Sequence, residues 1–169
     1  YRSGNVAPIL AALAVHGYCD GLSARTLNLT KQSMGLRAVA HLCAYLSAQT
    51  CQLRILDVSE NDLRGTAAET LCEAIASNTS LDKLVMSWNL VPERALWSLA
   101  KSLSANHHNN IRELVLCNVG IGMMPEDGTR AIAHMVSKSP NLRALDLSGN
   151  ELRNIHAQAI AAALVASYA

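Results

Sequence analysis

LRILDVSENDL, at positions 53–63, and LRALDLSGNEL, at 142–152, are near copies of one another 89 residues apart. Both fit the frame L-x-x-L-x-L-x-x-N-x-L. A chain that writes one frame twice is built from a repeated unit, and the period of that unit decides the architecture before any single element does. Three more copies follow from sliding the frame along the chain. One holds Leu81, Leu84, Met86, Asn89 and Val91. Another holds Ile111, Leu114, Leu116 and Ile121, with Val119 in place of Asn. A weaker one holds Ala24, Leu27, Leu29, Gln32 and Met34. The frames start at 24, 53, 81, 111 and 142, in steps of 29, 28, 30 and 31 residues.

Each frame is followed by an apolar pair four residues apart: Leu42/Leu46, Leu71/Ile75, Leu99/Leu103, Ile132/Val136 and Ile160/Leu164. That spacing puts both members on one helix face. The residue after the first member is always small (Cys43, Cys72, Ala100, Ala133, Ala161), which lets stacked helices approach closely. Frame positions 4 and 6 alternate inward as one face of a short strand. One strand and one helix cannot bury an apolar face alone, so the copies must stack, with Leu56, Leu84, Leu114 and Leu145 forming a core ladder. Asn61, Asn89 and Asn150 recur where the chain turns out of the strand, where an amide can satisfy open backbone donors and acceptors.

The frame, the following helix and the 28–31-residue period resemble the ribonuclease-inhibitor-like class of leucine-rich repeats, over essentially the whole chain. The resemblance implies an α/β solenoid, a horseshoe segment of about five to six repeats, with parallel strands concave and helices convex. It also implies that the turn asparagines form a ladder between repeats, which Gln32 and Val119 interrupt. Residues 1–169 read as a single solenoid segment, expected to be a fragment of a longer protein. A helical stretch over roughly 6–16 lacks its strand, and the last helix carries Ala162 where earlier copies have Glu73, Lys101 or His134.

Composition narrows the function. Half the residues are apolar, none is Phe, and the net charge is +1. Leu, Ile, Val and Ala must therefore fill the core, and no strong field favours nucleic acid or an anionic membrane. The stretch at the N-terminus reads as a helix rather than a signal peptide. Five cysteines (Cys19, Cys43, Cys51, Cys72, Cys117) without a C-x-x-C argue against a disulfide framework or a zinc site and for a cytoplasmic setting. No phosphate loop or H-E-x-x-H occurs, so no catalytic residue, cofactor or metal is expected. His107 and His108 read as solvated loop residues. Cys117 stands in a column of small polar residues and would be reactive only if a cation lowered its pKa.

What remains is surface. The concave columns vary between copies while the core columns do not. The expected protein-binding residues are Trp88 as anchor, with Lys83, Val85, Glu113 and Val115 around it, and Trp97 on the convex side as the competing site. Arg25, Arg54, Arg112 and Arg143 form a row interrupted by Asp82, read as a solvated edge paired with carboxylates. The insertion GMMPEDG at 122–128 lengthens one loop by three residues. The expectation is a non-catalytic protein–protein interaction scaffold. It binds a protein partner or flanking domains of its own chain, with no nucleic acid, membrane or small-molecule substrate. The alternatives are a Ran-type GTPase activator or a purely structural stacking segment.

Overall fold

The computed structural model describes residues 25–105 and 109–167. The N-terminal helical stretch, Ala24, Cys19, His107 and His108 lie outside them. Strands β1 (Thr26–Asn28), β2 (Ile55–Asp57), β3 (Lys83–Val85), β4 (Glu113–Val115) and β5 (Ala144–Asp146) alternate with helices. These are α1 (Leu36–Leu46), α2 (Gly65–Ser77), α3 (Glu93–Ala105), α4 (Glu126–Lys138) and α5 (Asn154–Ser167). The sheet is parallel throughout and its order follows the chain.

Every strand occupies frame positions 3 to 5, and neighbours pair in frame register. Thr26 lies beside Ile55, Ile55 beside Lys83, Lys83 beside Glu113 and Glu113 beside Ala144. The register follows from the core columns. A slip of one residue would move each position-4 Leu out of the interior. Leu56, Leu84 and Leu114 are fully buried, as are Val58, Met86 and Leu116 at position 6. Leu145 is the exception to the expected ladder. It is half-buried, because β5 is the edge strand of the sheet formed by the described residues.

The helices close the other side of the core. Leu42, Leu71, Ile75, Leu99 and Ile132 are fully buried, and the small column lets adjacent helices pack. Packed helices lie about 8–10 Å apart, whereas paired strands lie about 4.8 Å apart. Stacking both on one core therefore bends the solenoid with the sheet on the inside.

The turn out of each strand is left-handed at position 8. Lys31, Glu60, Trp88, Asn118 and Gly149 all have φ between 53° and 70°. Behind this turn the asparagines bridge repeats. Asn61 Oδ1 accepts from the Gln32 and Met34 amides at 2.9 and 3.3 Å. Asn89 Oδ1 accepts from the Asn61 and Leu63 amides at 3.1 and 2.9 Å. Asn150 Oδ1 takes the Val119, Gly120 and Ile121 amides.

Val119 breaks the ladder as expected, yet its own turn is intact because Asn150 holds it from the next repeat. At Gln32 the side of the ladder facing the preceding repeat falls outside the described residues. The Gln32 side-chain amide donates to Thr30 O at 3.0 Å, as Asn61 does to Ser59 O. The insertion is ordered as the 3-10 turn Ile121–Met123. There the Gly122 amide donates to Asn150 O at 2.9 Å, and a Cβ on Gly122 would run into the Asn150 and Glu151 carbonyls.

The far end of the stack is open. Leu142, Leu145, Leu147 and Ile160 are half-buried, while Leu164 and Val165 are exposed.

Candidate interaction surface

Positions 3, 5, 7 and 8 of successive frames line the concave side. Position 3 runs Thr26, Ile55, Lys83, Glu113, Ala144, and position 5 runs Asn28, Asp57, Val85, Val115, Asp146. Lys83 and Glu113 are direct cross-strand partners, and their side chains meet at 2.9 Å. Such a pair contributes roughly 0.2–1 kcal/mol. Val85 and Val115, also cross-strand partners, lie half-buried at the centre of the sheet. The structure thus brings together four of the residues expected from the sequence.

Trp88 borders this centre from the left-handed turn that follows β3. It is 62% exposed and has φ 57°. Its backbone is fixed by its own amide donating to Cys117 O at 2.9 Å. Left-handed backbone costs a non-glycine residue roughly 1–2 kcal/mol, and a bulky residue there is rare. The fold demands the conformation at this position in every repeat, but it does not demand Trp.

Trp97 lies on the helical side, where the sequence places it, but not as a free surface residue. In α3 it is half-buried against the core, with its ring centroid 5.7 Å from that of His134 in α4. His134 in turn hydrogen-bonds Ser104 at 3.0 Å. The neighbouring helix supplies a cover that a polar-looking column does not reveal. The Arg row is only partly paired. Arg54 reaches Asp82 at 3.5 Å, while Arg112 and Arg143 have no carboxylate partner among the described residues.

The cysteines are set up for packing. Burial pushes the Cys43 thiol to about 11 and the Cys72 thiol to about 12. Cys117 faces the concavity between Ser87 and Asp146, and its pKa is raised by desolvation and by donating to the Asp146 carboxylate. A raised pKa leaves less thiolate at a given pH. Alkylation by iodoacetamide at pH 8 should therefore be slower at Cys117 than for a free thiol, and Asp146→Asn should speed it. Faster reaction than a free thiol would contradict the geometry.

Two structural features had weak sequence signals. One is the run of left-handed turns at position 8. The other is a second set of asparagines ahead of β3, β4 and β5. Asn78 donates to Leu46 O at 2.8 Å, Asn110 to Thr79 O at 2.5 Å and Asn141 to Asn109 O at 2.6 Å. The recurrence of Asn within a few residues before the last three frames was the available clue. Among the described residues no group of His, Cys, Asp and Glu could hold a metal ion, and no helix is long and apolar enough to cross a membrane.

Comparison with known proteins agrees with this geometry. The family model described as Leucine Rich Repeat matches residues 141–162, the fifth frame and the start of α5. NACHT, LRR and PYD domains-containing protein 14 of Mus musculus is 28% identical over 76% of this chain, which spans 12% of that protein. RAN GTPase-activating protein 2 of Arabidopsis thaliana is 24% identical over 62% of this chain and 18% of its own length. Among solved structures, the tropomodulin C-terminal domain of Caenorhabditis elegans aligns with a TM-score of 0.72 at 14% identity. The alignment covers 96% of this chain and 93% of that one. Leiomodin-1 actin-binding site 2 aligns with a TM-score of 0.70 at 10% identity, covering 95% and 88%. The chain is thus similar to leucine-rich repeat proteins, in sequence to the NACHT, LRR and PYD protein and in the repeat matched at 141–162.

Proposed function

We propose that this chain is a non-catalytic protein-binding scaffold of the ribonuclease-inhibitor-like repeat class, working in the cytoplasm and gripping a protein partner through the concave sheet around β3 and β4. The observation that carries this reading is Trp88. A large aromatic stands mostly exposed at a strained turn, beside a half-apolar patch, where stacking does not require it. An aromatic ringed by polar groups is the usual anatomy of an interface anchor. The rigid strands hold the surrounding side chains in place, so little ordering cost remains on binding. A domain of this architecture bears the name of an actin-binding site in leiomodin-1, and the likeness to it concerns the fold. The Ran-activator alternative gains no support from the structure beyond shared repeats.

Trp88→Gly tests the proposal. Relief of the left-handed cost, roughly 1–2 kcal/mol, offsets the entropy cost of Gly, roughly 0.5–1 kcal/mol. Gly149 already occupies this column. Stability should stay within about 1 kcal/mol of the parent chain, while partner affinity should fall by at least about 2 kcal/mol. Unchanged affinity would remove Trp88 as the anchor.

A further inference from the structure

On the concave face the charges do not cancel evenly. Of the charged residues at positions 3, 5, 7 and 8, Lys31 pairs with Glu60 at 3.3 Å and Lys83 with Glu113 at 2.9 Å. Asp57 and Asp146 are left, and neither meets a cation among the described residues. They occupy one row, which reads Asp57, Val85, Val115, Asp146 across β2 to β5. The two carboxylates thus flank the apolar centre. Three strand steps of about 4.8 Å separate them by about 14 Å. Each uses its Oδ1 to hold the amide two residues on, Ser59 or Ser148, at 2.9 Å. At Asp146 the carboxylate also accepts the Ser148 hydroxyl at 2.6 Å and the Cys117 thiol, both neutral donors that leave its charge unpaired by a cation.

We propose that the occupant of this face is a protein segment that sets an apolar side chain on Val85 and Val115 between two cationic side chains, which meet Asp57 and Asp146. The proposal rests on the concave-face reading and names the partner's chemistry. Cations about 14 Å apart on one face lie four residues apart on an extended chain, whose side chains at i, i+2 and i+4 point the same way. Arg112 and Arg143, exposed and without a carboxylate partner among the described residues, flank the start of the strands, three residues before the Val–Asp row, and set the polarity of the site. A partner acid is tolerated on that side and repelled over the carboxylates.

The test exploits Asn28, which fills the same column in β1 and accepts the Thr30 amide at 2.9 Å. An amide therefore supports this turn, so Asp57→Asn and Asp146→Asn remove charge and keep the fold. A random linear peptide library displayed on phage is selected on the 169-residue chain, and the enriched peptides are titrated against both variants. The expected peptides carry Lys or Arg at i and i+4 with an apolar residue at i+2. Each variant should weaken them about two- to five-fold, the range of an exposed ion pair. Enriched acidic peptides, a selection without binders, or self-association of the chain that Asp57→Asn disrupts would overturn the proposal. Binders lost on Trp88→Gly but indifferent to both Asn variants would overturn the charge rule alone. Binders lost only on Trp97→Ala would overturn the concave-face reading as well.

Discussion

Leu114→Ala is expected to lower the unfolding free energy by about 2–5 kcal/mol, the range for truncating a buried leucine. Leu114 is fully buried in β4, between Leu84 of β3 and Leu145 of β5. Repeats on both sides press on it, so a cavity there has little freedom to collapse. The same substitution at Leu145 should cost less, because that side chain is already half in water at the open end of the stack. Urea denaturation of both variants reads the difference. A loss well under 1 kcal/mol at Leu114, or a larger one at Leu145, would contradict the register of the ladder.

Asn89→Ala is the second large effect. The Asn89 side chain donates to Val58 O, Met86 O and Ser87 O at 3.1, 2.9 and 3.3 Å, and accepts the Asn61 and Leu63 amides. It is 4% exposed, so water does not readily replace these bonds. Leaving buried groups unpaired costs about 1–3 kcal/mol. The loss also falls next to the gap already left by Val119, so two successive rungs of the ladder would be missing. Hydrogen exchange gives a local readout. The Asn61 and Leu63 amides should exchange faster in the variant, ahead of amides in β4. If both stay as protected as in the parent chain, Asn89 is not the bridge between repeats 2 and 3.

Much of this fold could be read from the frame because stacking makes a residue's neighbours predictable. Leu56, Leu84 and Leu114 meet each other only if their frames align, so the spacing of the copies carries the pairing of the strands. Asn61, Asn89 and Asn150 could be placed for the same reason. Other features depend on side-chain choices that periodicity does not record. Gln32 stands where the other turns hold Asn, and its longer side chain reaches Thr30 O inside its own turn. Trp97 sits in a column of mostly polar residues and is half covered because His134 follows on the next helix. The left-handed turns have a weak sequence signal because Lys, Glu and Trp occupy three of the five places, and only Asn and Gly advertise that conformation. The concave patch was legible as variation against a monotonous core. Its cross-strand Lys83–Glu113 pairing followed from the register, and the isolation of Asp57 and Asp146 became visible only once the ion pairs were known.

Hydroxyl-radical footprinting of the chain, alone and saturated with a bound partner, tests the concave-face claim most directly. Trp88 and Trp97 lie on the two faces of the solenoid and report separately in one experiment. Binding through the concave sheet predicts that oxidation of Trp88 falls sharply while Trp97 stays at its unbound level. Protection of Trp97 with Trp88 unchanged would place the partner on the helices and contradict the account.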